Sequence, residues 1–429
     1  MNPFNIGVLE NKGGVLHIGG LSVTDLAEKF GTPLYVTDEN RIRSNFQRLL
    51  TAFKKNYDKV RIYYAAKANS NISILKILLG EGAYLDAAST GEIFLGSHVG
   101  FPAERIMYTG TAVSREELEY AQKENVVINI DSSSQLDDLL KVKTPEILSL
   151  RINPEVGSGH HEHVITGGKK SKFGLWKEDA LEVYKYAKKV GVQRFGVHMH
   201  IGSGILKMEP FIDALNRFMQ IVRVVSEKAE IRFEFIDIGG GLGVPYKLEE
   251  EELNVREFAE NVTSTVKRAL EKHGLGEPIL CIEPGRYLVC DSTILVTRVQ
   301  RVKKTPHRKF VGVDAGFNTL VRPTMYGAFH YIMVANRLSA KAAETYDVVG
   351  PLCESGDVLG QDRKLPKVSE GDVLAILNAG AYGYTMSSQY NSRPRPAEVL
   401  VKGGECALIR ERETRESLLA GQKVAGWLG

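Results

Sequence analysis

Val60-Arg-Ile-Tyr-Tyr-Ala-Ala-Lys-Ala-Asn-Ser70 is an apolar run that ends on a lysine set among alanines. Its β-branched and aromatic start reads as a strand, Val60–Ala66. A doubly wound open sheet would place a glycine fingerprint directly after this first strand, where the chain instead reads AAKANS. Seven further strand-like runs follow: Ala83–Ala87, Arg105–Tyr108, Val126–Ile130, Ile147–Ile152, Arg194–Met199, Phe233–Ile238 and Ile279–Ile282. Amphipathic stretches such as Arg115–Lys123, Glu178–Lys189, Phe211–Lys228 and Val255–Lys272 lie between them. Eight strands alternating with helices predict a (β/α)8 TIM barrel.

Beyond about Cys290 the texture changes. Ser292–Arg301, Lys309–Val313, Tyr346–Val349, Val373–Leu377 and Glu398–Leu400 are strand-like, with glycine and proline turns between them and few helical patterns. An all-β domain, sandwich-like or barrel-like, is therefore expected after the barrel. Val15–Ile18 is also strand-like and is expected to pair with that domain. The expected division is an N-terminal segment 1–35 packing with the β domain, a barrel over 36–282 and a β domain over 283–429.

The 429 residues carry a net charge of +3, with 25% charged and 43% hydrophobic residues. That balance gives no electrostatic reason for a nucleic-acid or acidic-membrane partner. No apolar run approaches the roughly 18 residues that span a bilayer. The start, MNPFNIGVLENKGG, lacks the basic and apolar regions of a signal peptide. The four cysteines, Cys281, Cys290, Cys353 and Cys406, form no CxxC pair, so a cytoplasmic location is expected.

Chemistry collects where the barrel strands end. Lys67 follows the first strand, Asp86 and Ser89 the second, Arg151 the fifth, His198 and His200 the sixth, Gly239–Gly243 the seventh and Glu283–Arg286 the eighth. A barrel brings these ends to one face. Lys67 alone could simply reach solvent, but alanines on both sides leave room for something bulky, and a partly desolvated amine condenses with carbonyls. In Phe235-Ile-Asp-Ile-Gly-Gly-Gly-Leu-Gly243, backbone N–H groups could approach an anion, as phosphate sites after strands seven and eight do. Glu283 and Arg286 could form a strand-end ion pair, or hold a cationic ring nitrogen and a carboxylate respectively. His198 and His200 could stack on a ring or pair on a metal, while His160, His161 and His163 sit in a glycine-rich loop. No spaced Cys/His set supports a zinc site, so none is expected, although a metal-dependent barrel hydrolase stays open as an alternative. In the second domain GPLCESGD (350–357) puts a thiol beside a carboxylate, and GAYG (380–383) reads as a turn with one aromatic.

YYAAKANS, LDAASTGE, HMHIGSG, DIGGGLG, CIEPGR, GPLCESGD and GAYG together resemble the diaminopimelate decarboxylases, in the pyridoxal-phosphate fold group shared with alanine racemase and with ornithine and arginine decarboxylases. The resemblance implies pyridoxal 5'-phosphate as cofactor and decarboxylation of meso-2,6-diaminopimelate to L-lysine. It implies that Lys67 links the cofactor, that His200 stacks on its ring and that Glu283 keeps the ring nitrogen protonated. Ser203, Gly239, Gly240, Gly241, Gly285 and Arg286 would cradle the phosphate, with Tyr382 closing the site and Asp86, Ser89 and Glu92 in support. Arg286, Arg322 and Tyr326 would bind the distal carboxylate of the substrate and Glu354 its distal ammonium. Cys353 would protonate the product, from a loop that the partner subunit of a homodimer supplies. A glutamate at the ring nitrogen separates this pattern from the racemases, which place an arginine there. The pair Arg286 and Arg322 separates it from ornithine and arginine decarboxylases, whose substrates carry no second carboxylate.

Overall fold

A computed structural model describes residues 8–155, 168 and 171–428. His160, His161, His163, Lys169 and Lys170 lie outside the described residues. The chain divides into two compact units: Ile42–Pro245 with Glu251–Val289, and Met1–Arg41 with Tyr246–Glu250 and Cys290–Gly429.

The first unit is the expected barrel. Its eight parallel strands are Val60–Ala65, Tyr84–Ala87, Ile106–Thr109, Val127–Ile130, Ile147–Arg151, Arg194–His198, Phe233–Asp237 and Ile279–Ile282. They pair in sequence order, and the eighth closes on the first through Leu280 opposite Val60. The helices start where the chemistry of capping requires. Ser114 and Glu117 form a reciprocal capping box ahead of Arg115–Lys123, which satisfies two otherwise orphaned N–H groups. Glu209–Ala229 buries Phe211, Leu215, Phe218, Val222 and Val225, one stripe at helical spacing. Register then sets the height of the functional residues. His198 pairs with Arg151 on one side and Asp237 on the other, so three strand-terminal polar residues share one level.

The second unit centres on a nine-stranded sheet. Its main path runs Val358–Leu365, Glu344–Val349, Lys309–Val313, Thr293–Lys304, Leu34–Asp38, Ala397–Lys402 and Glu405–Arg410. Ile332–Val334 and Val373–Ile376 branch from the long strand Thr293–Lys304. The two-residue period of a strand gives this sheet two apolar faces. Leu34, Val36, Ile294 and Val296 pack with Leu16, Ile18, Val23 and Leu26 on one, while Tyr35, Leu295, Leu374 and Ile376 pack with Val313, Val348 and Leu359 on the other.

The N-terminal segment joins this unit, with a difference in how. Val15–Ile18 packs in its core and Leu16 N donates to Ala335 O at 2.7 Å, but its strand ladder runs to Leu9–Lys12 and Leu21–Ser22 in a small sheet of its own. The N-terminal strand that enters the large sheet is Leu34–Asp38, buried along its length between Thr293–Lys304 and Ala397–Lys402. Because that strand crosses residue 35, the first break falls after Arg41. The second falls after Val289, since the turn beyond the eighth strand stays with the barrel through Arg286 Nη2, which donates to Ser203 Oγ at 3.3 Å.

Candidate active site

Lys67 lies on the short turn Ala66–Ala68 that immediately follows the first barrel strand. Its Nζ donates to Asp86 Oδ2 at 3.1 Å, and Asp86 stands on the second strand with 1% of its surface exposed. Burial first, and the Glu283 charge second, push the Asp86 carboxyl above the ordinary aspartate range, against the pull of Lys67. Ser89 and Glu92 act one step back. Ser89 Oγ accepts from Glu92 N and Glu92 Oε2 accepts from Ala88 N at 2.7 Å, which fixes the start of helix Thr90–Val99.

Glu283 follows the eighth strand and is buried. His198 Nε2 lies 3.0 Å from its Oε2 and carries the hydrogen of that bond, because an ionised carboxylate only accepts. Burial alone would raise the Glu283 pKa. His198, by charge and by hydrogen bond, and then Lys67 outweigh burial and hold it at about 2. Glu283 is therefore an anion at any working pH. Its other oxygen, Oε1, is buried and has no hydrogen-bond partner.

The alternation of a strand would put His198 and His200 on one face, but the strand ends at His198 and His200 lies beyond it. They take different partners. His200 Nδ1 accepts from Gly240 N at 3.1 Å, which places its proton on Nε2 when the ring is neutral. Burial first, then Arg151 and Lys67, lower its pKa well below the usual histidine value. A neutral imidazole is what stacking on a cationic ring requires.

The glycine run is closely fitted. Gly239 has φ +70°, and a Cβ there would lie 2.4 Å from the Met199 carbonyl oxygen. At Gly240 a Cβ would lie 2.0 Å from the carbonyl oxygen of Glu283, so the seventh-strand loop could not approach the eighth strand with any larger residue. Two of the three amides are engaged: Gly239 N donates to Asp237 Oδ1 at 2.8 Å, and Gly240 N to His200. Among the described residues, the Gly241 amide is the one left without an acceptor.

Asp237, Arg151 and the His198–Glu283 bond complete a polar floor that the sequence did not assemble. Asp237 is buried and its carboxyl is raised well above the usual range, by burial first and the Glu283 charge next. Arg151 stacks on Phe173 at 4.5 Å and is lowered by burial. The signal for Asp237 was present in DIGGG, an aspartate ahead of glycines whose amide it accepts. Buried polar atoms almost always find partners, yet Glu283 Oε1, Asp86 Oδ1, Asp237 Oδ2, His198 Nδ1 and Arg151 Nη2 have none. Such a set fits a polar ring that brings its own donors and acceptors. His198, Asp237 and Glu283 also bring one ligand atom each within 4.8 Å of one another, and His198 and Glu283 are bonded directly to each other. The opposite, N-terminal end of the barrel also carries buried atoms of this kind, Tyr63 OH and Gln122 Oε1. Its cavity of about 480 Å³ is lined by groups such as Arg194, Glu146 and Glu234, already ion-paired to one another.

The remaining expected residues lie in the second unit. Arg322 and Tyr326 open and close the short helix Arg322–Tyr326, the arginine fully buried and the tyrosine half-buried. Tyr382 is half-buried at φ +57°, beside Gly383, where a Cβ would lie 2.4 Å from the Ala379 carbonyl oxygen. The loop 350–357 closes around Asp357, whose carboxylate accepts from Phe317 N at 2.7 Å and Leu352 N at 2.8 Å. Cys353 and Glu354 are held outward at its tip, exposed. Cys353 N donates to Asn391 Oδ1 at 2.8 Å and Tyr390 OH to Glu354 Oε1 at 2.6 Å.

A barrel whose mouth joins a lysine, an ionised buried glutamate, a neutral histidine and a glycine cradle defines a pyridoxal-dependent decarboxylase. Residues 43–290 match the family described as pyridoxal-dependent decarboxylase, pyridoxal binding domain. The chain is 53% identical over 416 residues to the diaminopimelate decarboxylase of Methanothermobacter thermautotrophicus, covering 96% of this chain and 97% of that one. It is 42% identical over 424 residues to that of Archaeoglobus fulgidus, covering 97% and 98%. The crystal structure of diaminopimelate decarboxylase from M. jannaschii in complex with L-lysine superposes with a TM-score of 0.91 at 37% identity, over 98% of this chain and 99% of that one. The chain belongs to the diaminopimelate decarboxylase family.

Proposed function

We propose that this chain decarboxylates meso-2,6-diaminopimelate to L-lysine and CO2, with its cofactor held at the barrel mouth described above. The observation that carries the reading is Glu283, an anion fixed by His198 with one buried oxygen still unpartnered. Pyridoxal phosphate, when bound, supplies an aldehyde that condenses with amines and a ring that takes up the electrons released as a carboxylate leaves. Glu283 Oε1 would hold a proton on the ring nitrogen, and His200, kept neutral, would pack on the ring without opposing that charge. Lys67 would carry the cofactor, with Asp86 keeping its amine in place between turnovers. Ser203, the Gly241 amide and the Gly285–Arg286 turn would bind the phosphate. No helix among the described residues is long and apolar enough to cross a membrane, and the four free cysteines support a reading of action in the cytoplasm.

The second carboxylate of the substrate goes to Arg286, Arg322 and Tyr326. The direct test is release of CO2 and L-lysine from meso-diaminopimelate by the purified holoenzyme, beside ornithine and arginine. Turnover of the first alone is expected, and equal turnover of ornithine or arginine would refute the substrate. Arg322→Lys keeps the charge but loses the planar fork that meets a carboxylate with two parallel bonds. Its expected cost is about 2–5 kcal/mol in kcat/KM, as for other poorly paired buried charges.

The working unit in this reading is a homodimer in which Cys353 protonates the product and Glu354 receives the distal ammonium in the partner's site. Supporting it, the loop is rigidly closed by Asp357 while both side chains face outward. Mixing inactive Lys67→Ala with inactive Cys353→Ala under subunit exchange should restore about a quarter of wild-type activity, because half the dimers are mixed and each has one intact site. Confirmed exchange with no recovered activity would place the loop in its own chain's site.

A further inference from the structure

Arg322 is 1% exposed and makes no ion pair among the described residues. A buried guanidinium without a carboxylate is costly unless neutral groups hold it. Two do. Its Nη1 donates to His330 Nε2 at 2.8 Å, and its Cζ lies 4.7 Å from the ring centre of Tyr246. His330 is fully buried, and its Nδ1 lies 2.8 Å from the carbonyl oxygen of Leu377. The carbonyl can only accept, so Nδ1 carries the hydrogen and Nε2 offers its lone pair to the arginine. The tautomer is thereby fixed and the ring is neutral. Leu377 directly follows Val373–Ile376, a strand paired to the central strand of the sheet, and its N–H donates to Tyr331 O at 2.9 Å. The histidine therefore rests on backbone that cannot easily shift.

Tyr246 completes the arrangement from the segment Tyr246–Glu250. Its ring meets His330 edge-on at 5.1 Å and 79°, and its hydroxyl lies 3.1 Å from Cys290 Sγ, which in turn donates to Asn378 O at 3.4 Å. One edge of the guanidinium is thus directed by a lone pair, and its plane is set by an aromatic face.

We propose that His330 is a positioning residue that aims Arg322 at the distal carboxylate of the substrate without neutralising it. This rests on the reading above that Arg322 binds that carboxylate. The choice of imidazole has a physical reason. An aspartate or glutamate at position 330 would form an internal ion pair and compete with the substrate for the same charge. An apolar residue would leave Nη1 without an acceptor and the fork free to turn. A neutral imidazole supplies an acceptor and no charge, so the full cation and the remaining N–H donors stay available for a bidentate bond.

The test compares His330→Leu, His330→Gln and His330→Asn as holoenzymes. Gln can carry an acceptor to the place of Nε2, whereas Asn reaches only the place of Nδ1. His330→Leu should raise KM for meso-diaminopimelate and the inhibition constant of L-lysine, which keeps the distal carboxylate, together by about 10- to 100-fold, the worth of one charge-assisted bond. The turnover number should fall far less, and the visible absorbance of the bound cofactor should not change. Binding of cadaverine, which has no carboxylate, should be unaffected. Gln should recover most of the loss and Asn should not, a contrast that decides the matter even if the leucine variant fails to fold. An unchanged KM, an equal loss for cadaverine, or Gln and Asn behaving alike would overturn the positioning role. Wild-type enzyme that neither binds L-lysine nor turns over meso-diaminopimelate would instead overturn the underlying assignment of Arg322.

Discussion

Lys67→Ala will lose the visible absorption of the lysine-linked cofactor and lower turnover by on the order of 10⁴- to 10⁶-fold, the scale seen when a covalent-catalysis residue is removed. The size of the effect follows from how narrowly the lysine is placed. It stands on a three-residue turn between Ala66 and Ala68, where small neighbours leave its amine reachable while the strand behind it is buried. The eighth-strand turn packs against the same place: a Cβ at Gly285 would lie 3.1 Å from that of Ala68 and 3.2 Å from that of Ala65. Asp86, 3.1 Å away on the neighbouring strand, is the side chain that fixes the amine. Asp86→Asn should cost much less, because it removes a charge from the pair and leaves the nucleophile. Borohydride reduction of the wild-type holoenzyme, followed by peptide mass mapping, should place the reduced adduct on Lys67. A visible band that resists borohydride, or an adduct on another lysine, would refute the assignment.

The barrel was legible because fully covered parallel strands must be continuous apolar runs. All eight proposed runs became strands, with ends displaced by only a residue or two. The second unit was legible only where its strands are central. Val358–Leu365 and Glu405–Arg410 escaped notice, and they are the two outermost strands on the path of the nine-stranded sheet. Edge strands carry charge and irregular pairing that blunt further association. VLGQDRKL has both, with its register shifting twice against Glu344–Val349. Leu34–Asp38 was not singled out either: it is five buried residues directly ahead of a helix, with no turn signal to mark its end. At the site, single residues at strand ends were visible, but the bonds between them were not. His198 and Glu283 are 85 positions apart, and nothing local in HMH or CIEPGR announces that one fixes the charge of the other. His330 was invisible for the same reason, since its importance lies in which atom of Arg322 it faces.

Glu283→Gln should slow carbon–carbon cleavage by about 10²- to 10³-fold while cofactor stays bound, the usual cost of removing one preorganised electrostatic group. The amide has the shape of the carboxylate but cannot hold a proton on a ring nitrogen by charge. Single-turnover measurements on the holoenzyme isolate that step, and an unchanged rate would dismiss the role. The pH behaviour gives an independent check. Glu283 has a pKa of about 2 in the folded chain against the ordinary value of 4.5, because His198 and Lys67 outweigh its burial. A carboxylate depressed in this way contributes stability that is fully present above the unfolded value and is lost as pH falls from there through about 2. Within the working range it stays ionised, so any acid limb of the rate profile belongs to another group and should persist in Glu283→Gln. His198→Phe provides the contrasting case. It leaves the carboxylate in place but removes its hydrogen bond and its strongest stabilising charge, so burial should then raise the Glu283 pKa and add a new acid limb to the profile. The glutamine variant, with no carboxyl to titrate at this position, should show no such added limb when combined with His198→Phe.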